Sequence, residues 1–494
     1  MMAAVTELIV ATITSFIVPH FIIRAYGSDV NGLLSSITQF LSYIALIESG
    51  IGAIGRASFY KPLADHDTRV LSGNARALEY FYRKVSYIFL LYVMILSTLF
   101  PLLVHQDFEW LYTAALIVIL SFSMFIQYYF GITHQTIIQA DQRKYIPSLL
   151  QAFTLLLNMV ITIAMIKIGA TIHAVKIGSA AAYAIRPMVL YFYVQRHYHL
   201  DRKAKPKNEI LRQRWDGLAQ HIAFVIHKNT DIAVLTILAN VKEVSVYSVY
   251  MLAVSGCSKV VNIFSSNLEP AFGNMLAKGE YKALKDKMKL CSCLTIQIAV
   301  ILFSTASIMV SPFIMLYTKG VTDANYLRPA FGLIMLIAES FYCIRLPYQA
   351  AVYAAGHFKQ TRNGALIEAG MNLSISVVLV FYFGLIGVAI GTLLSMAFRT
   401  AQYIWYYHMN LIKEKEGLKY EAYRIFVSAV EIGLIVLFSS MIPELSSAGY
   451  LSWAFSSFLV AIGCSLIAVI ISLIFYRREC RELFAFMKHL LMRT

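Results

Sequence analysis

Two arginines stand in the middle of apolar stretches that otherwise predict membrane-spanning helices. Arg186 and Arg399 are 213 residues apart, and the segments around them, 173–193 and 386–406, align without a gap and share six identities in 21 positions. A guanidinium is costly in hydrocarbon, so it usually faces a bundle interior or a water-filled cavity on a substrate path. The repeat predicts that the chain is built twice, as many transporters are, with a central site between two halves.

Further charged residues fall within other predicted helices. Five basic side chains are matched there by six acidic ones, so the intramembrane charge is close to balanced. Two interpretations therefore stay open for each charge: it contacts a substrate, or it neutralises a neighbour, as Lys228 and Asp231 could do three residues apart on one helix face. Arg186 also precedes Pro187, and its guanidinium could instead satisfy carbonyls freed by the proline kink.

The elements that must position these residues are predicted to be membrane helices. Hydrophobic residues make up 59% of the 494 and charged residues only 14%, unlike a soluble globular chain. Because about 20 apolar residues in a helix span a bilayer, the pattern predicts an all-α polytopic membrane protein with about fourteen transmembrane helices. Their predicted ranges are 4–24, 31–56, 85–105, 110–132, 147–168, 172–195, 217–239, 244–275, 290–317, 328–355, 364–383, 385–408, 423–442 and 450–475.

The repeat groups these helices into two pseudo-symmetric six-helix lobes plus two C-terminal helices. The N-terminal lobe is predicted at 1–196, a basic cytoplasmic linker at 197–212 and the C-terminal lobe at 213–410. Helices 13 and 14 and a basic tail occupy 411–494. Because each lobe has an even number of helices, both enter the membrane in the same direction, and their pseudo-twofold axis should follow the membrane normal.

The basic residues predict the orientation. With both termini in the cytoplasm, 31 of the 42 Lys and Arg residues lie on the inner side and six on the outer side, as the positive-inside rule requires. The formal charge of +15 is then explained by cytoplasmic loops near anionic lipid headgroups. No basic stripe interleaved with aromatics lies outside the membrane, so no nucleic-acid partner is expected.

Several enzyme classes are excluded by the short loops. There is no soluble catalytic domain, and the sequence contains no Walker lysine loop, G-x-S-x-G or H-E-x-x-H motif. The pair Cys291-x-Cys293 lacks the second thiol or imidazole pair of a zinc site. We therefore expect a protein that is not an enzyme and that needs no metal and no cofactor.

A series of short motifs resembles bacterial polysaccharide flippases. In order they are Arg24-Ala-Tyr-Gly27 with Asn31-Gly32-Leu33, Glu48-Ser-Gly-Ile-Gly52 with Arg56, Gln139-Ala-Asp-Gln-Arg143, Asn229-Thr-Asp231 and Val244-Ser-Val-Tyr-Ser-Val-Tyr250. These exporters of O-antigen, capsule and exopolysaccharide repeat units belong to the multidrug/oligosaccharidyl-lipid/polysaccharide superfamily. The resemblance covers nearly the whole chain. It implies a V-shaped pair of lobes around a central cavity, and a polyprenyl pyrophosphate substrate carrying a short glycan.

Together these observations predict a multi-pass flippase of the bacterial plasma membrane that reorients lipid-linked oligosaccharide by alternating access. The residues expected to bind the pyrophosphate are Arg186, Arg399 and Lys228, then Arg345 and Lys259, and near helix ends Arg24 and Arg56. The residues expected to couple transport to a proton or sodium ion are Asp231, Glu269, Glu48 and Glu368. Expected partners are membrane lipids, a polysaccharide polymerase and other export machinery.

Alternative functions stay open at this point. A cation-coupled drug exporter of the same superfamily shares the two-lobe plan but typically has twelve helices, and residues 423–475 argue against it. A peptidoglycan-precursor flippase has fourteen helices and a similar ligand. A non-transporting membrane scaffold would not explain the buried charges. The driving force is also open: an ion gradient, the membrane potential, or consumption of the lipid outside.

Overall fold

The computed structural model describes residues 2–48, 51–104, 107–201, 204–206, 218–265, 268–441 and 449–482. Helices dominate these ranges, and no β-strand occurs in them. Twelve of the described helical stretches are long and apolar enough to cross a membrane. The prediction of an all-α, multi-pass membrane protein is confirmed.

The first of these twelve stretches contains two of the predicted helices. Helix α1 runs over Met2–Ser42, but Gly27 inside it has φ 84° and ψ 173°, a conformation that glycine adopts without the clash of a Cβ. This break lies between the predicted helices 4–24 and 31–56. The predicted seventh helix is α9 at Leu218–Leu238, and with these two additions the described helices correspond to the fourteen expected.

The predicted second helix is shorter than expected. After α1 ends at Ser42, a short helix α2 covers Ala45–Glu48, and α3 covers Ile51–Ala64. Glycines in this segment lower its helix propensity, whereas the hydropathy pattern continues through it. Arg56 therefore lies on a separate helix, α3, rather than at the end of a long membrane span.

The chain divides into two compact units, each described here by itself. Unit 1 comprises residues 1–246 and 320–324, and unit 2 comprises 247–319 and 325–494. The predicted lobe boundary at 197–212 follows the sequence repeat, whereas these units follow spatial contacts. Helix α9 accordingly lies in unit 1, where it packs against α1.

The further helices of unit 1 surround a core of interleaved apolar side chains. They are α4 (Thr68–Leu103), α5 (Trp110–Ile126), a π-helical turn π1 (Gln127–Gly131), α6 (Ile132–Ala140), α7 (Tyr145–Lys167) and α8 (Ile172–His197). Leu33, Phe59, Phe89 and Leu116 are among the fully buried residues. Helix α8 packs against α5, π1, α6 and α7. Its central residues are therefore surrounded by four segments that carry polar side chains.

The turn before α8 is specified by local sequence. Gly169 has φ 75° and ends α7 in a Schellman motif, in which the Ala170 N–H donates to the Met165 carbonyl at 3.0 Å. Thr171 then caps α8, because its hydroxyl accepts from the Ala174 N–H at 3.4 Å. This tight turn fixes α8 antiparallel to α7.

Unit 2 contains α10 (Val241–Ser265), whose first residues belong to unit 1, and seven further α-helices with one π-helical turn. They are α11 (Leu268–Ala277), α12 (Tyr281–Tyr317), α13 (Pro329–Ala354), α14 (Phe358–Phe383), α15 (Leu385–Tyr406), π2 (Tyr407–Leu411), α16 (Glu416–Ser440) and α17 (Tyr450–Phe475). Helices α14 and α15 pack along their lengths, as α7 and α8 do in unit 1.

The two helix pairs related by the sequence repeat are each joined through an asparagine at a matching position. In α7, the Asn158 amide donates to the Tyr183 hydroxyl of α8 at 3.1 Å. In α14, the Asn372 amide donates to the Thr392 hydroxyl of α15 at 2.9 Å. Helices in lipid gain no hydrophobic drive toward each other, so such hydrogen bonds and close packing hold them together.

Candidate functional site

Unit 1 encloses a polar cavity of about 540 Å³ between α3, α5 to α6, α7 and α8. Two arginines and four glutamines are among its lining residues, while no aspartate or glutamate is among the described residues that line it. The charged and amide side chains are Arg56, Arg186, Gln127, Gln135, Gln139 and Gln151. One carboxylate with an electrostatic effect on Arg186 is Glu7 on α1, which is not among the described residues that line the cavity. The cavity wall thus offers cations and hydrogen-bonding groups.

Arg186 reaches the cavity from the middle of α8. Its Nη2 donates to the Gln135 Oε1 at 3.0 Å, and its Nε is buried without a hydrogen-bond partner in the described structure. A guanidinium carries five N–H donors, and the only acceptor described here is a neutral amide oxygen. Among the described contacts of Arg186 there is no hydrogen bond to a backbone carbonyl. These contacts therefore do not support the interpretation that Arg186 satisfies carbonyls freed by Pro187.

Arg56 enters the same cavity from α3 and is exposed. Its Nη1 donates to the Gln139 Oε1 at 3.4 Å. Each cavity arginine is therefore held by a glutamine oxygen on α6, one turn apart. A neutral acceptor orients a guanidinium but leaves its positive charge available for an anion.

The π-helical turn explains how the glutamines come to share a face. Gln127 and Gln135 are eight residues apart, which in a regular α-helix rotates them about 80° from one another. One extra residue in the turn makes their spacing equivalent to seven, which reduces the offset to about 20°. The Gln127 amide accordingly donates to the Gln135 Oε1 at 3.4 Å.

Close packing fixes this turn against the helix that carries Arg186. A Cβ added to Gly131 would lie 2.9 Å from the Pro187 Cβ, closer than real side chains approach. The absence of a side chain at Gly131 lets π1 sit directly against α8, one residue from Arg186. The contact between Gly131 and Pro187 therefore sets where Arg186 lies along α8 relative to the glutamines of π1 and α6.

The equivalent arginine of unit 2 has different surroundings. Arg399 and Arg345 are 2% and 5% exposed, and they flank a single carboxylate. The Arg345 Nη1 lies 2.6 Å from the Glu368 Oε1, and the Arg399 Nε lies 3.4 Å from the Glu368 Oε2. Arg399 also donates to the Thr361 carbonyl at 3.0 Å and to the Tyr403 hydroxyl at 2.9 Å. These contacts tie α13, α14 and α15 together.

One substitution between the repeats accounts for this difference. The register that pairs Asn158 with Asn372 places Thr154 at the position of Glu368. The Thr154 hydroxyl donates to the Gln151 carbonyl at 3.0 Å, and both residues line the cavity of unit 1. Unit 2 has the buried carboxylate of Glu368 at this position, whereas unit 1 has the neutral side chain of Thr154 beside the cavity.

The remaining predicted site residues are placed elsewhere. Asp231 is buried in α9, whereas Arg24, Lys259 and Glu269 are exposed, and none of the four is among the described residues that line the cavity. The side chains of Lys228 and Glu48 lie outside the described part of the structure. Sequence reasoning did not select Gln127, Gln135 or Gln151, although Gln127, Gln135 and Gln139 lie at intervals of eight and four residues in one segment, which was a visible signal. No group of three metal-ligating side chains is found among the described residues.

Solved membrane transporters share this fold. Lipid II flippase MurJ in an inward closed conformation matches with a TM-score of 0.72 and 14% identity, over 97% of this chain and 99% of MurJ. An inward-facing MATE family multidrug resistance transporter of the MOP superfamily matches at 0.61 and 13%, over 81% and 97%. A mutant of the Vibrio cholerae MATE transporter VcmN matches at 0.58 and 13%, over 84% and 96%. No protein-family model and no curated protein sequence matches the chain.

Proposed function

We propose that this protein is a flippase of the bacterial plasma membrane that moves polyprenyl-pyrophosphate-linked oligosaccharide from the inner to the outer leaflet by alternating access. The observation that carries the proposal is the cavity of unit 1, in which Arg186 and Arg56 meet no lining carboxylate among the described residues. A pyrophosphate is anionic and accepts hydrogen bonds only, and such a head cannot cross hydrocarbon unaided. Arginine forks supply charge and paired donors at once.

The rest of the cavity suits the other part of the substrate. Glutamine amides both donate and accept, as sugar hydroxyls do, and Gln127 and Gln151 lie beside the two arginines. A volume of about 540 Å³ is within the range of pockets that bind small ligands. We infer that the pyrophosphate and the first sugar occupy the cavity, while the polyprenyl tail stays in lipid.

In this proposal the ion cluster of Arg345, Glu368 and Arg399 in unit 2 has a structural role. Arg345 and Arg399 share Glu368 as their counter-ion, so one of their two positive charges is already neutralised inside the helix bundle. Lys228 stays a candidate for the substrate, Lys259 stays a secondary one, and Arg24 stays a candidate near a helix end. Asp231, Glu269 and Glu48 stay candidates for a coupling cation. A transport rate that changes with neither pH nor sodium concentration would exclude the coupling role.

Two other transport functions are supported by particular observations. The MurJ structure, whose name describes a lipid II flippase, covers almost the whole chain, and a peptidoglycan precursor would present similar pyrophosphate chemistry. The MATE structures come from multidrug resistance transporters, but a cationic drug would require anionic partners, and the described lining of this cavity has none. The glycolipid proposal therefore ranks above drug export.

The test is transbilayer movement in proteoliposomes. Three labelled substrates are compared: a polyprenyl-pyrophosphate oligosaccharide, a peptidoglycan precursor and a small cationic dye. The proposal expects movement of the oligosaccharide lipid, a loss of at least tenfold in Arg186→Gln, and no change in Arg196→Gln, which removes an exposed charge from the same helix. Movement of the peptidoglycan precursor alone would show that this lipid is the substrate. Export of the dye alone would show that the protein is a drug exporter.

A further inference from the structure

A buried histidine and a buried glutamate lie against each other in unit 1, outside the arginine cavity. His134 on α6 is 2% exposed and Glu79 on α4 is 8% exposed. The Nε2 of His134 lies 3.5 Å from the Glu79 Oε1. The pair lies just beyond the cytoplasmic ends of the predicted spans 85–105 and 110–132. The binding of an anionic headgroup uses neither residue, and a histidine that faces a carboxylate can change its charge near neutral pH.

The backbone fixes the tautomer of His134. Its Nδ1 lies 2.6 Å from the Phe130 carbonyl oxygen, and a carbonyl can only accept, so Nδ1 carries a hydrogen. The Nε2 is then the nitrogen that gains or loses a proton, and it is buried without a hydrogen-bond partner. A proton added there would create a donor that faces the Glu79 carboxylate.

A polar cleft reaches Glu79, and His134 is not among the described residues that line it. Its volume is about 90 Å³, enough for a few water molecules at about 30 Å³ each. Glu79 lies in its wall together with Asp201, which belongs to the predicted cytoplasmic linker at 197–212. The charged and titratable groups that face the pair are Arg76 at 3.2 Å and Arg83 at 3.9 Å from the Glu79 Oε2, Tyr191 with its ring 5.0 Å from the imidazole, and Asp201 in the cleft.

The pair is also attached to the elements that shape the arginine cavity. His134 is the neighbour of Gln135, which accepts from Arg186. The carbonyl that His134 binds belongs to Phe130 in π1, the turn that aligns the cavity glutamines. π-Helical turns often occur where a helix changes shape in function. A change of charge at His134 therefore acts directly on the segment that holds the cavity arginines in place.

We propose that His134 and Glu79 form a proton-binding site that couples glycolipid movement to proton movement across the membrane. The site takes up one proton on the imidazole Nε2 and releases it within each transport cycle. The inference deepens the proposed function, since it assumes that glycolipid is the transported substrate. It names a coupling site different from the acids that the sequence pattern indicates.

The first experiment needs no glycolipid. His134→Asn keeps an N–H donor for the Phe130 carbonyl and removes the proton-binding nitrogen, so the NMR signal missing from this variant identifies the His134 imidazole in isotope-labelled protein. We expect that signal to titrate, and its midpoint to fall by one pH unit or more in Glu79→Gln, because the carboxylate favours the imidazolium. A signal that does not titrate at any pH at which the protein stays folded, or a midpoint unmoved by Glu79→Gln, would overturn the site.

The second experiment measures coupling in proteoliposomes. A gradient of one pH unit is worth about a tenfold ratio for each proton moved. We expect the gradient to change the steady-state distribution of glycolipid between leaflets by up to about tenfold in the unmodified protein, and by less than twofold in His134→Asn. The matched control is His173→Asn, which removes an imidazole bound to the Tyr112 carbonyl at 3.0 Å and should respond as the unmodified protein does.

The outcomes separate the two proposals. If the unmodified protein moves no glycolipid, the proposed function fails, and the titration alone decides the proton site. If glycolipid moves but ignores the gradient, or if His134→Asn responds to it fully, the coupling is refuted and the proposed function stands.

Discussion

Arg186 and Arg399 occupy equivalent positions in the sequence repeat, yet the structure predicts that loss of the first affects binding and loss of the second affects stability. Arg186→Gln should weaken binding of a pyrophosphate lipid and leave the protein stable. Arg399→Gln should destabilise the protein. The reason is the counter-ion: Glu368 lies 3.4 Å from the Arg399 guanidinium, whereas Thr154 stands at its equivalent in unit 1.

The magnitudes follow from the described contacts. Arg186 makes one described hydrogen bond, from its charged guanidinium to a neutral amide oxygen. Losing it costs about 1.5 kcal/mol of stability, the low end of the range for hydrogen bonds to charged groups. A charged hydrogen bond to the pyrophosphate is worth about 1.5–3 kcal/mol, or about 10- to 150-fold in affinity. Arg399→Gln leaves Glu368 paired with Arg345, but it removes the charged hydrogen bonds to the Thr361 carbonyl and the Tyr403 hydroxyl. At about 1.5–3 kcal/mol for each such bond, the expected loss is about 3–6 kcal/mol.

Two assays on purified protein separate these effects. Binding of a fluorescent polyprenyl-pyrophosphate lipid gives the affinity, and denaturant unfolding in detergent gives the stability. Arg196→Gln, at the exposed end of α8, controls for the loss of one positive charge. Equal destabilisation by Arg186→Gln and Arg399→Gln would refute the reasoning, and so would a stable Arg399→Gln protein that has lost binding.

Three further predictions concern the same elements. Arg56→Gln should weaken pyrophosphate-lipid binding about tenfold, since it removes about one charged hydrogen bond; unchanged affinity in the fluorescent-lipid assay would exclude Arg56 from the site. Glu368→Gln should lower the free energy of unfolding by about 3–5 kcal/mol because it leaves two buried guanidiniums unpaired, while Thr154→Val should cost about 1 kcal/mol, and equal unfolding midpoints would contradict this. Gly131→Ala should reduce glycolipid transport several-fold in proteoliposomes, since its Cβ would meet Pro187 at 2.9 Å; full activity would show that the turn tolerates displacement.

The helices could be predicted because their cause is local. Spans of apolar residues must form helices in lipid, so hydropathy alone placed most of them, and the repeat placed Arg186 and Arg399 at matching points. The interruption after Ser42 could not be seen in the same way, because the segment stays apolar while its backbone departs from one long helix. Arg56 was accordingly placed at the end of the wrong helix.

The site was harder to predict because it depends on which helices meet. Glu368 looked like a candidate for cation binding, but its partner Arg345 is 23 residues away on another helix, a pairing that no spacing rule reveals. Gln127 and Gln135 are about 80° apart on a regular helix, and the π-helical turn brings them closer together. That turn has no signature in the hydropathy pattern, and Gln151 lies on another helix, α7, so their meeting in one cavity could not be predicted.

The most direct test of the central claim is a cryo-electron microscopy structure with a polyprenyl-pyrophosphate oligosaccharide bound. The account predicts pyrophosphate density in the cavity of unit 1, with phosphate oxygens about 3 Å from the Arg186 guanidinium and Glu368 still paired with Arg345 and Arg399. Density for the pyrophosphate against Arg399, with Glu368 displaced and the unit 1 cavity free of ligand, would contradict it.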